Sequence, residues 1–154
     1  MQTVETSPFR SYQGGYFKTL IAPEQTNNAL ALLEITLPKG AEPPPHIHNN
    51  EDEAFYIVDG EISLRIADKV TVLKPGDAMF APRKVPHSFE ILTERATIMN
   101  LITPGTLWNF FMEFSQPLSV LPEKIQAPGP PPIEILQALQ SVMVNKYQLD
   151  FVNS

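Results

Sequence analysis

Turn-forming residues divide most of this chain into short segments. Sixteen of the 154 residues are proline, and turn signals recur roughly every 6–12 residues up to Gly105. The segments between them are rich in aliphatic and aromatic residues, which favour β-strands. The pattern predicts about nine short strands, in residues 16–21, 29–37, 46–48, 53–58, 61–66, 70–73, 78–81, 87–92 and 96–103.

The turns and the alternation of residue types indicate antiparallel pairing. Asp59-Gly60 is a typical two-residue hairpin turn. In the segment that follows, Ile62, Leu64 and Ile66 alternate with polar residues, as in a strand with one buried face. Neither a Gly-x-Gly-x-x-Gly motif nor a phosphate-binding loop occurs in the sequence, and strands do not alternate with helices. The chain is therefore expected to be all-β, a sandwich or barrel.

The pattern changes after Gly105. Apolar residues at helical spacing predict a helix over 107–114 and a second over 133–147, joined by a proline-rich connector. We expect one domain, with a β-barrel in residues 1–104 and a helical extension in 105–154. The extension could pack on the outside of the barrel, cap its mouth or form a dimer interface. The apolar residues on the faces of the two predicted helices are Leu107, Trp108, Phe110, Phe111, Met112, Phe114, Leu136, Leu139, Val142 and Met143.

Composition excludes several classes of function. The net charge of −6 and the pI of about 5.0 disfavour nucleic acid as a partner. The absence of cysteine excludes disulfides, thiolate metal sites and a cysteine nucleophile. Residues 1–10 lack the pattern of a secretory signal, and the longest apolar run, 29–33, is far too short to span a bilayer. We expect a soluble cytoplasmic protein without a membrane partner.

The three histidines of the chain point to a metal site. His46 and His48 follow three consecutive prolines, which hold the backbone extended, so that residues two apart point to the same side. Glu53 and His87 complete a set of three imidazoles and one carboxylate. Such a set suits one divalent transition metal (iron, manganese, nickel, copper or zinc), and the residue types do not choose among them.

Other interpretations of these residues are open. The histidines could be structural or lie on the surface, and a site could be empty or purely structural. Glu51 and Asp52 compete with Glu53 for the role of carboxylate ligand. Alternation places Glu53 on the same strand face as Phe55, whereas Glu51 and Asp52 are expected in a solvated acidic loop.

The spacing of these residues resembles a known family. Gly40, His46, His48, Glu53 and Gly60 form the pattern G-x5-H-x-H-x4-E-x6-G, which is similar to the first signature of the cupin superfamily at every position.

The second cupin signature, G-x5-P-x-G-x2-H-x3-N, is matched in part. Gly76, Pro82 and His87 agree with it, while Lys84 replaces a glycine and Ile91 an asparagine. Neither replacement removes a metal ligand. A lysine with positive φ in this turn would cost ~1 kcal/mol.

The whole chain resembles small bacterial single-cupin proteins that are similar to quercetin 2,3-dioxygenases. Thr103-Pro104-Gly105, the helix after it, the proline-rich connector and the final helix fit their outline. The resemblance implies a double-stranded β-helix, or jelly-roll barrel, with a buried metal and a homodimeric assembly. It does not imply one reaction, because one fold carries many functions.

The leading hypothesis is a metal-dependent dioxygenase that acts on a small oxygen-rich substrate such as an enol, diketone or phenol. The metal would bind an oxygen of the substrate, and Glu53 would be catalytic by sharing a proton with the substrate as well as ligating. Phe55 and Phe89 would form an apolar wall of the substrate pocket, or else belong to the ordinary core. The alternatives are a non-catalytic module that binds a metal or small ligand, and a metal-dependent sugar isomerase or epimerase.

Overall fold

Two antiparallel sheets form the body of the protein in the computed structural model, which describes residues 7–152. Residues 1–6 and 153–154 lie outside the described residues. The first six belong to the N-terminal segment that is expected not to be a secretory signal. Twelve strands and two α-helices are found in the described range: β1 Phe9–Tyr12, β2 Gly15–Ile21, β3 Ala31–Pro38, β4 His46–His48, β5 Asp52–Asp59, β6 Ile62–Ile66, β7 Lys69–Leu73, β8 Ala78–Ala81, β9 His87–Ile91, β10 Arg95–Thr103, α1 Trp108–Glu113, β11 Gln116–Pro117, α2 Ile133–Asn145 and β12 Leu149–Phe151.

The order of the strands confirms an all-β jelly-roll fold. One sheet has seven strands in the order β11-β1-β2-β3-β10-β5-β8, and the other has five in the order β12-β4-β9-β6-β7. The two sheets face each other and are not joined into one closed barrel. The core between them is formed by alternate residues of the strands, whose side chains point inward. Its largest fully buried members are Phe17, Leu33, Ile57, Ile62, Leu64, Ile91 and Ile102.

All nine expected strands are present within two residues of their predicted bounds. The first two form the expected hairpin, with Phe17 opposite Ile35, and the turn at Asn27 and Asn28 has positive φ at both residues. Strands β1, β11 and β12 were not predicted. Each has four residues or fewer, too few for a periodic pattern. Strands β11 and β12 each pair with a strand that is distant in sequence, whereas β1 pairs with its neighbour β2 as well as with β11.

The helices are shorter than expected. A 3₁₀ turn over Gly105–Leu107 precedes the six residues of α1, and α2 ends at Asn145 rather than at residue 147. Gln148 has a φ of 57°, a left-handed conformation that stops a helix and redirects the chain. The chain then continues as β12, so the C-terminal extension is not purely helical. Within the described residues, neither helix combines the length and apolarity needed to cross a bilayer.

Gly60 shows why the hairpin after β5 requires glycine. Its φ is +78°, and a Cβ at this position would lie 2.4 Å from the carbonyl oxygen of Arg95. We expect Gly60→Ala to lower the free energy of unfolding by at least about 2 kcal/mol, since the strain and the clash add. Denaturant unfolding measures this loss.

Gly129→Ala is the matched control for this change. A Cβ at Gly129 meets no atom within 4 Å, and its φ is not positive, so we expect a change within about 0.5 kcal/mol. Equal losses for the two variants would contradict the interpretation.

Candidate metal centre

The three histidines lie on neighbouring strands of the five-stranded sheet. His46 and His48 belong to β4, and His46 is paired directly with His87 on β9. The proline run before β4 holds the backbone extended, so that both β4 imidazoles point to the inner face of the sheet. His46 is 7% exposed there and His48 is 5% exposed. The extended-backbone prediction for the His-x-His pair is therefore confirmed.

Glu53 comes from the opposite sheet. It lies on β5, on the same inward face as Phe55 and Ile57, as the alternation predicted. The strand of His46 and His48 is therefore not paired with the strand of Glu53. The connection over residues 49–51 carries the chain from one sheet to the other, so that the cluster spans the gap between the sheets.

The four side chains meet at one point. One ligand atom from each of His46, His48, Glu53 and His87 lies within 4.8 Å of all the others. His46 Nε2 and His48 Nε2 are 3.1 Å apart, and Glu53 Oε2 is 3.2 Å from His48 Nε2 and 3.0 Å from His87 Nε2. Two atoms each ~2.1 Å from a metal and about 90° apart would be separated by about 3.0 Å, so these distances suit a shared ion.

The hydrogen-bonding state of the imidazoles also suits a metal. His46 Nδ1 donates to the carbonyl oxygen of Pro44 at 2.8 Å, which leaves the lone pair on Nε2 directed at the cluster. His87 Nε2 is buried and makes no aligned hydrogen bond among the described residues, although Glu53 Oε2 is close. Nitrogen and carboxylate donors of this kind fit a divalent transition metal and do not select one.

Electrostatic coupling between the buried groups shifts their pKa values. Burial lowers the pKa of His46 to about 4, and His48 and His87 contribute to the decrease. Burial alone would lower the pKa of His48, but Glu53 and Glu51 raise it to about 9. Burial would raise the pKa of Glu53, yet His48 and His87 hold it well below its ordinary value. Without a metal, the cluster therefore retains a negative carboxylate and a proton that a cation would displace.

Glu51 is not part of a solvated loop, contrary to the sequence-based expectation. It is only 5% exposed, and its Oε2 lies 3.6 Å from His48 Nδ1 on the side of the ring away from the cluster. A carboxylate behind a ligand histidine orients the ring and raises its basicity. The charge pattern did not reveal this role, because three acidic residues in close succession look like a surface segment.

Asp52 also has a defined partner. Its carboxylate accepts hydrogen bonds from the Arg83 backbone N–H at 2.8 Å and from Arg83 Nη2 at 3.0 Å, and Arg83 holds the pKa of Asp52 below its ordinary value. The pair joins the start of β5 to the turn before His87. Lys84 in that turn has a φ of 66° and an exposed side chain. Its backbone N–H donates to the His48 carbonyl at 2.7 Å.

A cavity of about 420 Å³ opens beside the four ligand residues. Phe55 and Phe89 both line it, with their ring centroids 6.3 Å apart, and the Phe55 centroid is 6.0 Å from that of His87. The C-terminal segment forms part of the wall of this cavity. Its contributions to the lining include Leu107, Phe110, Phe111, Leu136, Leu139, Met143, Leu149 and Phe151.

A few polar side chains interrupt this apolar lining. Tyr12 and Asn100 are among them, and burial together with Glu53 raises the pKa of the Tyr12 phenol. Neither residue was singled out in the sequence. Tyr12 lies on a strand too short to predict, whereas the polar residue in the alternating row of β10 was a signal that could have identified Asn100.

Comparisons with known proteins agree with this architecture. The family described as "Cupin domain" matches residues 33–103. The chain is 23% identical over 100 residues to a quercetin 2,3-dioxygenase of Bacillus subtilis, covering 65% of this chain and 30% of the relative. It is 29% identical over 119 residues to a quercetin 2,3-dioxygenase of Aspergillus japonicus, covering 71% of this chain and 31% of the relative. The chain thus spans about a third of the length of these curated relatives.

A solved structure shows the same fold. KdgF from Halomonas sp. superposes with a TM-score of 0.57 at 23% identity, over 64% of this chain and 86% of that chain. At this identity the likeness concerns the fold alone. The family match includes all four clustered residues and strands β4 to β10, so residues 33–103 of this chain are similar to a cupin domain.

Proposed function

We propose that the protein is a metal-dependent dioxygenase acting on a small, mainly apolar substrate that carries an enol, diketone or phenol group. The observation that carries the proposal is the position of the buried ligand cluster at the wall of a largely apolar cavity. A substrate oxygen would approach the cluster while the carbon skeleton lies against Phe55 and Phe89.

The residues of the cluster have separate roles in this proposal. His46, His48 and His87 would hold the metal through their Nε2 atoms, and Glu53 through a carboxylate oxygen. When bound, a divalent transition metal supplies Lewis-acid activation of oxygen ligands and, for redox-active ions, reactivity toward dioxygen. Glu53 Oε2 faces His48 and His87, which leaves the other carboxylate oxygen to accept the hydroxyl proton of the substrate.

The cavity favours this substrate class over a sugar. A sugar presents a hydroxyl on nearly every carbon, and each would need a polar partner after leaving water. Apart from the ligand cluster, the polar side chains of the lining are those of Tyr12, Gln13, Glu42, Asn100 and Gln140, and Glu42 already accepts a hydrogen bond from the Ile91 N–H. The two curated relatives named quercetin 2,3-dioxygenase lend further support to an oxygenase.

Oxygen uptake tests the proposal. Protein loaded separately with iron, manganese, nickel, copper or zinc would be mixed with 3-hydroxyflavone, acetylacetone or catechol in an oxygen-electrode cell. We expect consumption of dioxygen with at least one redox-active metal and a 10²–10⁴-fold lower rate for Glu53→Gln, because the variant cannot accept the proton.

Asp52→Asn is the matched control, since Asp52 is adjacent in sequence but pairs with Arg83 outside the cluster. Its rate should equal that of the wild type. No oxygen uptake with any metal and substrate would favour a non-catalytic binding module, and conversion of a sugar without dioxygen would favour an isomerase or epimerase.

The homodimer and the cytoplasmic location remain predictions. Edge strands β7 and β8 carry exposed apolar side chains, including Val70, Val72 and Phe80. Such side chains on a sheet edge are compatible with a contact between two copies. Light scattering of the purified protein measures the assembly directly.

A further inference from the structure

Asn100 is the polar member of an otherwise apolar row. The inward side chains of β10 are Ala96, Ile98, Asn100 and Ile102, all of them 3% exposed or less. An aliphatic residue at position 100 would continue the row and fill the same space without burying a polar group. The amide therefore requires an explanation other than packing.

The amide nitrogen of Asn100 has no hydrogen-bond partner among residues 7–152. This atom, Nδ2, is fully buried. The residues paired with Asn100 on the two neighbouring strands are Leu33 and Phe55, whose side chains cannot accept a hydrogen bond. The same amide belongs to the lining of the cavity, so a group inside the cavity is what can satisfy it.

The strand register places the Asn100 amide diagonally next to Glu53, a member of the ligand cluster. Ile102 is opposite Glu53 and Asn100 is opposite Phe55, so that Asn100 and Glu53 are diagonal neighbours on the same face. Diagonal neighbours in an antiparallel pair are about 7–8 Å apart. A molecule with the width of one aromatic ring spans this distance, with one end at the cluster and the other at Asn100.

We propose that Asn100 is a specificity-determining residue that donates a hydrogen bond to a second oxygen of the substrate, distinct from the oxygen bound at the ligand cluster. The substrate class is thereby narrowed to a flat, mainly apolar molecule with a phenol or enol at one end and a carbonyl or ether oxygen about one ring away. The inference rests on the proposed function, because it concerns the same cavity and the same bound molecule.

Two catechols that differ in one oxygen provide the test. Protein loaded with redox-inactive zinc would be titrated with 3,4-dihydroxybenzaldehyde and with 4-methylcatechol, and the ratio of their dissociation constants determined by absorbance. We expect Asn100→Leu to reduce the preference for the aldehyde about tenfold, because the variant lacks the donor. Asn100→Asp replaces the hydrogen-bond donor by an acceptor and should also reduce the preference for the aldehyde. This second variant provides the test if the leucine variant does not fold.

The matched control is Met99→Leu, a change of similar volume at the neighbouring residue of β10, whose side chain lies on the other face of the sheet and does not line the cavity. It should retain the wild-type ratio. If zinc-loaded wild type binds both catechols and the ratio is unchanged in the Asn100 variants, the inference about Asn100 is wrong and the proposed function stands. If the protein takes up no zinc, or the zinc-loaded protein binds neither catechol, the proposed function fails and the role of Asn100 fails with it.

Discussion

Saturation with a divalent transition metal is expected to raise the melting temperature by about 8–16 °C, and His87→Ala to abolish that rise. A ligand that binds only the folded state stabilises it by about 4 kcal/mol at a thousandfold excess over its dissociation constant. In a domain of this size each kcal/mol shifts the melting temperature by about 2–4 °C. The effect depends on the complete cluster, because His46, His48 and Glu53 converge on the same point as His87.

Differential scanning calorimetry with and without metal measures this shift, and elemental analysis of protein purified without added metal provides an independent readout. His48→Ala should carry much less metal than the wild type. Asp52→Asn should keep both the metal and the thermal shift, since Asp52 lies outside the cluster. A wild type that carries no more metal than His48→Ala would disprove the metal centre.

Removal of residues 149–154 is expected to lower the free energy of unfolding by at least about 3 kcal/mol and to weaken metal binding at least tenfold. The deletion removes β12, which pairs with β4. In this pairing Leu149 is opposite His48 and Phe151 is opposite His46. Leu149 is 6% exposed and lines the cavity together with Phe151. The loss of these two side chains gives water access to the cluster, and the loss of β12 leaves one edge of β4 without a paired strand.

Asp150→Ala separates this effect from a general loss of contacts in β12. Asp150 points outward, and its carboxylate accepts a hydrogen bond from Asn49 Nδ2 at 2.9 Å in an exposed position. We expect its replacement to change stability by less than about 1 kcal/mol and to leave metal affinity unaltered. Denaturant unfolding and metal titration compare the two variants; a truncated protein with wild-type affinity would show that β4 needs no support from β12.

Local patterns in the sequence were sufficient to predict the direction in which three of the four clustered side chains point. His46 and His48 are two apart in a segment held extended by prolines, and Glu53 shares its strand face with Phe55, so short-range geometry determines where these side chains point. The same alternation predicted the inward face of β6. These features depend only on neighbouring residues, which a sequence displays directly.

The arrangement of the strands could not be read in the same way. That Glu53 faces the histidines from the opposite sheet, and that Glu51 is buried behind His48, both follow from how the connection over 49–51 crosses between the sheets. Strand β12 has only three residues and acquires its structure from β4. Such features result from pairing between distant segments, and the residues involved carry no local signal of it.

The pairing of β4 with β12 also has a consequence for the order of folding. Asn49 and Gln148, which are hydrogen-bonded, are 99 residues apart in the chain, and β1 is joined to β11 over a similar separation. Closing such long loops is entropically costly and slow, so these contacts form after the local hairpins. During synthesis the histidines of β4 therefore emerge from the ribosome well before the strand that completes their surroundings. We expect the metal to be acquired late, by a chain whose sheets have already formed.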